Sequence, residues 1–346
     1  GQEVSDEMII GFVESLRAPE FPLLPSSWIT HGLTAWMAGD GETAMTRLVY
    51  LISAAIFLGV VFRLAGERLY FRGWQLYQEV RNTPGSQTIR EGTGFFKQWL
   101  PLNTVWQALL LKDFRIFMRD PSQWSQLFIL GALVIVYIFN IQNLPLSNIV
   151  LKNVISALNI GLIGFVLSAL ISRFVFPSTS MEGRRMWSIY TAPVNMRSFL
   201  MAKFWMYFPP LLIIGEFLVV ASNHLLEVDP YVMKVSMVGV FLITLGLVGM
   251  GVGMGAMYPM FRHDNVSEIS GGSGGVLFMI TSLTYVGMVM ILGARPMYVH
   301  FKEKFLMETV GGPDVFIVFG VIAALTLFVA VEPIRRGIRV LEDMDL

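Results

Sequence analysis

Seven long, predominantly apolar runs constrain this chain more than any other feature: Ala44–Ala65, Ser125–Ile141, Ile149–Phe176, Leu200–Ser222, Tyr231–Met257, Gly274–Gly293 and Val315–Val331. A helix that crosses a bilayer needs about 20 such residues. Inside lipid every backbone N–H and C=O must be satisfied within its own segment, so these runs must be helices. A soluble domain carries about 25% charged residues, whereas this chain of 346 residues has 14% charged and 54% hydrophobic side chains. That apolar surplus exceeds what one soluble core can hide. The expected fold class is all-α: a polytopic membrane helix bundle of about seven transmembrane helices with interfacial amphipathic helices beside them. The run Ser125–Ile141 is the shortest and Ile149–Phe176 the longest, so tilt or an interfacial extension is expected there.

The distribution of basic residues predicts orientation, because cytoplasmic loops carry the excess of Lys and Arg. With the C-terminus and its Arg335, Arg336 and Arg339 in the cytoplasm, eighteen of the twenty-five basic residues fall on that side and seven on the other. The reverse orientation inverts the ratio. The formal net charge is zero, which argues against nucleic acid as a partner. With no cysteine, disulfides, thiol catalysis and thiolate metal sites are excluded. The chain begins at Gly1 without a signal-like pattern, which reads as a processed or truncated piece.

Several connecting segments carry pattern of their own. After a Gly/Ser/Thr/Pro-rich break at 82–94, the stretch Leu102–Pro121 sets Trp106, Leu109, Leu110, Phe114 and Phe117 at helical spacing. Lys112, Arg115 and Arg119 lie largely opposite, so an interfacial helix ending at Pro121 is expected. Between the third and fourth runs, Ser178–Tyr190 begins with capping-type residues and predicts one short cytoplasmic helix lying crosswise. On the other face, Met297–Thr309 reads as a short amphipathic stretch, and Trp28 and Trp36 as an interfacial element before the first span.

Polar residues inside the runs are few. Glu216 sits mid-membrane, where a carboxylate costs ~2.5 kcal/mol or more, so it should face protein or water, either lining a pathway or pairing helices. The preceding Pro209-Pro210 removes two ladder hydrogen bonds and predicts a kink or interruption. Asn159 can hydrogen-bond across helices. Gly249/Gly253 and Gly251/Gly255 are small-xxx-small pairs suited to close helix approach.

Familiar chemistry is missing. No Gly-x4-Gly-Lys-[Ser/Thr] phosphate loop is present, and Gly271-Gly272-Ser273-Gly274-Gly275 lacks the lysine, so it reads as a flexible cap. His31, His224, His263 and His300 show no metal-ligand spacing. No hydrolase or metalloprotease motif occurs.

From Thr104 onward the order is interfacial helix, two spans, short cytoplasmic helix, two spans, cytoplasmic turn, span, amphipathic stretch, last span. Lys112-Asp113-Phe114-Arg115 with Arg119-Asp120-Pro121, then Ser180-Met181-Glu182-Gly183-Arg184-Arg185-Met186-Trp187 with Ala192-Pro193-Val194, and finally Pro259, Phe261 and Asn265 mark this order in residues. It resembles the six-span permease of type-2 ABC exporters (the ABC-2 type transmembrane subunit). The resemblance implies an elbow helix bearing Lys112, Arg115 and Arg119. It also implies a coupling helix that meets an ABC ATPase subunit through Glu182, Arg184, Arg185, Met186 and Trp187. It further implies a permease subunit that moves an unidentified substrate by alternating access. ATP and Mg would sit on the partner, with no cofactor and no catalysis on this chain. The implied location is the plasma membrane, as in the bacterial inner membrane, with membrane lipid around it.

The resemblance covers 101–346 as a six-span unit. Residues 1–100 read as an extracytoplasmic preamble, one span and a cytoplasmic linker, the tail of a second permease half that is otherwise missing or supplied by a second copy. Two other readings stay open: an ion-coupled secondary transporter in which Glu216 carries protons, and a non-transporting membrane assembly subunit.

Overall fold

The computed structural model of the chain describes residues 25–82, 104–119, 121–142, 149–261, 265–306 and 315–344. Among them no strand occurs and every regular element is helical. The chain divides into two compact units, Gly1–Phe96 and Lys97–Leu346. The first contains α1 (Pro25–Met37) and α2 (Gly41–Asn82). Gly39 makes the turn between them at φ 80, a conformation that costs glycine little. Asp40 then caps α2: its Oδ1 accepts from the Thr43 backbone N–H at 3.1 Å and its Oδ2 from the Thr43 hydroxyl at 2.5 Å. These bonds stabilise the ionised carboxylate and hold its pKa below the ordinary value.

The second unit runs through α3 (Thr104–Arg119), α4 (Pro121–Gln142) and α5 (Ile149–Phe174). Two 3₁₀ turns (Phe176–Ser178 and Ser180–Arg185) lead into α6 (Met186–Thr191). Then come α7 (Met196–Leu225), α8 (Pro230–Met257), α9 (Val266–Gly271), α10 (Ser273–Phe301), a π turn (Lys302–Leu306) and α11 (Val315–Glu342). Among the described residues six helices are long and apolar enough to cross a membrane: Gly41–Arg68, Val154–Gly183, Met196–Leu225, Pro230–Met257, Ser273–Lys304 and Val315–Glu342. A seventh results if the pair Val105–Arg119 and Trp124–Phe139, bent by 74°, is one broken span. This is the all-α membrane bundle that the apolar runs predict.

Helix α8 is the axis of the second unit, packed by α5, α7, α10 and α11. Its glycines make this possible. A methyl on Gly249 would lie 2.6 Å from Ala330 Cα, and one on Gly253 would lie 2.3 Å from the Pro333 carbonyl carbon, both in α11. On the other side, a methyl on Gly251 would meet Ile171 at 2.5 Å, and one on Gly255 the Phe176 carbonyl oxygen at 2.2 Å. Residues two apart on a helix are about 200° apart around its axis, so the two glycine pairs face different neighbours.

Three local expectations change. Helix α7 runs unbroken through Pro209 and Pro210, because other helices of the bundle support a membrane helix that lacks two ladder bonds. The Gly271–Gly275 run is packed: methyls on Gly274 and Gly275 would lie 2.5 Å from Tyr258 Cβ and 2.0 Å from the Ser270 carbonyl oxygen. It closes a tight joint between α9 and α10. Lastly, Met297–Phe301 continues α10, and 307–314 lie outside the described residues.

Two polar clusters sit away from the glycine seams. Asn159 is buried; its Nδ2 donates to the Ser222 hydroxyl at 2.7 Å and its Oδ1 accepts from the Tyr137 hydroxyl, joining α5 to α7 and α4. Close by, the Ser156 hydroxyl donates to Asn223 Oδ1 at 2.6 Å. At the far end of α10, Asp229 binds His300 at 2.6 Å and Lys304 at 2.7 Å, while His300 stacks on Tyr231.

Candidate functional site

The segment between α5 and α7 is not one helix. Gly183 takes φ 50, ψ −134 and breaks it into 3₁₀ turns followed by α6. No hydroxyl caps a helix there. The Ser178 hydroxyl donates back to the Val175 carbonyl at 2.6 Å, and Ser180 Oγ accepts the Met260 backbone N–H at 3.0 Å. Thr179 Oγ1 is buried without a hydrogen-bond partner.

The Gly183 break turns Glu182 inward. Its Oε1 accepts from Lys112 Nζ of α3 at 2.5 Å and from Lys203 Nζ of α7 at 2.9 Å. Asp113, beside Lys112, completes the group: its carboxylate lies 3.2 Å from Lys112 and 3.6 Å from Lys203. Both ammonium groups also lie over the Phe199 ring, Lys203 at 4.9 Å and Lys112 at 5.7 Å from its centroid. The Lys203, Glu182 and Asp113 side chains are 3%, 6% and 9% exposed, so the network is desolvated on all but the Lys112 side. Two positive and two negative charges balance, which is the condition for keeping ions in a poorly solvated site.

Further bonds hold the same segment. The Tyr190 hydroxyl donates to the Leu341 carbonyl at the end of α11 at 2.6 Å, and burial raises its pKa above the ordinary phenol value. Met186 is 1% exposed and anchors α6 in the core, while Trp187 next to it is 64% exposed. Phe176–Thr191 is thereby fastened to α3, α7, the turn after α8, and α11, with an aromatic ring left outside.

The residues singled out in the sequence divide accordingly. Lys112 and Glu182 come together, and Met186 is buried in the core. Lys112 thus points into the bundle, whereas the helical pattern had placed it opposite the buried stripe. Arg115 and Arg119 are exposed on α3. The side chains of Arg184 and Arg185 lie outside the described residues. Glu216 is half-buried on α7, and its Oε2 is buried without a hydrogen-bond partner. It lies away from the charge network, as do Asn159 and the four glycines of α8.

Sequence reasoning missed the partners. Lys203 falls inside the fourth apolar run, where a lysine signals a paired, interior group. Asp113 was read only as part of a basic string. Ser180 and Tyr190 carry no signal of their own, since their partners are backbone groups 80 and 151 residues away.

Fold and charge network together define a helical membrane protein whose surface segment is locked to the bundle. The chain belongs to the family described as "Putative ATP-binding cassette", which matches residues 2–346. No curated protein and no solved structure matches it.

This membership corrects four expectations. The family is described as an ATP-binding cassette and not as a type-2 exporter permease, so that recognition is set aside. The permease function falls with it, as do the secondary-transporter and assembly-subunit alternatives. Two denials also fall, namely that the chain has no enzymatic part and that ATP and Mg belong only to a partner, because the description attaches the cassette to this chain's own family. The Gly271–Gly275 run nevertheless does not fit a nucleotide. A phosphate loop needs glycine backbone open to the ligand at a strand–helix junction. Here the Gly271–Gly275 run follows a helix, and Ser270 and Tyr258 fill the space above its glycines.

Proposed function

We propose that the chain is the membrane-embedded member of an ATP-binding cassette transport system, and that Phe176–Thr191 is the surface on which a partner subunit docks. The observation that carries this reading is the segment's attachment. Glu182 ties it to α3 and α7, Ser180 to the turn after α8, and Tyr190 to α11, while Trp187 stays exposed. A push on Trp187 therefore reaches several membrane helices at once. In this reading Glu182 and Met186 hold the segment rigid and Trp187 makes the contact, together with Arg184 and Arg185. An ABC ATPase subunit is the candidate partner. Asn159 and the α8 glycines serve helix pairing, which their contacts support. The basic asymmetry supports placing this end of the bundle and the C-terminus on the cytoplasmic face of the plasma membrane.

Trp and Arg are the usual interface hot spots, ~2 kcal/mol or more when truncated. Trp187→Ala should insert normally but lower recovery of the system's ATPase subunit by at least tenfold in a pull-down at matched membrane levels. Equal recovery removes the docking role. Binding of a labelled ATP analogue to the purified chain, measured in parallel, reports separately on the nucleotide association that the family description implies.

A further inference from the structure

At the end of the bundle that carries Arg197 and Glu342, helices α7, α8 and α11 enclose an open groove of about 730 Å³. Its two ends differ in chemistry. The rim carries Arg197, Arg335, Arg339 and Glu342, a net charge of two positives. Below it the walls are apolar, formed by Phe204 of α7, Leu245 of α8, and Leu327 and Val331 of α11. All three arginines are exposed, and no described carboxylate lies within ion-pair distance of them. Arg336, on the same turn of α11, is instead held by Glu332 at 2.8 Å, in a different cavity.

The dimensions match one leaflet of a bilayer. Leu327 and Arg339 are twelve residues apart on one helix, about 18 Å at the helical rise. Half of a bilayer's hydrocarbon core is about 15 Å. Leu327 and Val331 are 56% and 47% exposed, so the wall is open along its length. Arg335 and Arg339 stand one turn apart on one face, and guanidinium forks match phosphate oxygens in a bidentate way. Three arginines against the single Glu342 leave the rim net positive, so a headgroup with a net negative charge fits better than a zwitterionic one.

We propose that this groove is a binding site for an anionic phospholipid, with its phosphate held by Arg197, Arg335 and Arg339 and an acyl chain lying along α7, α8 and α11. No described residue of Phe176–Thr191 lines the groove. A lipid seated here links the start of α7 to the end of α11, at the bundle end where Tyr190 also holds α11.

The test is native mass spectrometry of the full chain in mild detergent with added phosphatidylglycerol or phosphatidylcholine. The chain should retain phosphatidylglycerol at least fivefold better, since each arginine near a lipid surface contributes about a fivefold preference. The Arg197→Gln, Arg335→Gln, Arg339→Gln variant should lose that preference, whereas Arg336→Gln should keep it. Leu327→Trp, which narrows the apolar wall and leaves the rim intact, should lower retention of both lipids. Glycerophosphoglycerol, the headgroup without chains, should not compete. Three results overturn the proposal: equal phosphatidylglycerol retention by wild type and triple variant, full competition by the chainless headgroup, or a wild-type dimer that the triple variant dissolves. The last would assign the groove to a second copy of the chain.

Discussion

Removing Glu182 and Lys203 together should destabilise the second unit less than the sum of removing each alone. The wild-type network balances Lys112 and Lys203 against Asp113 and Glu182. In Glu182→Gln, Lys203 remains 3% exposed with Asp113 at 3.6 Å as its remaining carboxylate, and Asp113 must serve two cations. Leaving a buried charge uncompensated costs about 3–5 kcal/mol. Lys203→Met errs in the other direction, leaving two carboxylates to the half-exposed Lys112. In the double variant Lys112 and Asp113 remain as a neutral pair 3.2 Å apart, and the methionine occupies the space over Phe199. The double variant should therefore cost less than the sum of the two single ones, with a coupling of about 2 kcal/mol, within the range for groups in one network. The assay is denaturant or thermal unfolding in a fixed detergent for wild type, both single variants and the double. Additive single effects would refute the reasoning, since they would mean that Glu182 and Lys203 do not share one desolvated site.

Two further outcomes follow from the geometry. Gly253→Ala puts a methyl 2.3 Å from the backbone of Pro333, which cannot yield as a side chain can; it should cost about 1–3 kcal/mol, while Gly287→Ala, with nothing within 4 Å, should be nearly neutral in the same melt. The pKa of Asp229 is lowered, first by its hydrogen bond from Lys304 and then by His300. Its contribution is therefore complete above the ordinary value of 3.8 and lost as pH falls through the lower folded value. Melting temperature should drop below pH 4 more steeply in wild type than in Asp229→Asn, and parallel curves would show that the pair adds nothing.

The apolar runs made the helices legible because lipid leaves the backbone no alternative. Each of the seven runs lies on a long helix, and the boundaries shift by a few residues at most of the ends. The α8 glycine spacing likewise announced close approach, since a missing side chain is visible in any sequence. It did not say that Gly249 and Gly253 meet α11 while Gly251 and Gly255 meet α5 and the turn after it; helical periodicity separates faces but does not name neighbours. The charge network was hidden for the same reason. Glu182 stands 70 residues from Lys112 and 21 from Lys203, and reading the segment as a single surface helix pointed it at a partner. Folding decided otherwise at Gly183, where a positive φ breaks that helix and turns Glu182 inward. Hydropathy is a property of each segment, so sequence alone determines which segments enter lipid. Charge pairing is a property of which segments become neighbours, and only the packed bundle settles that, because a buried lysine is tolerable only where another element delivers its carboxylate.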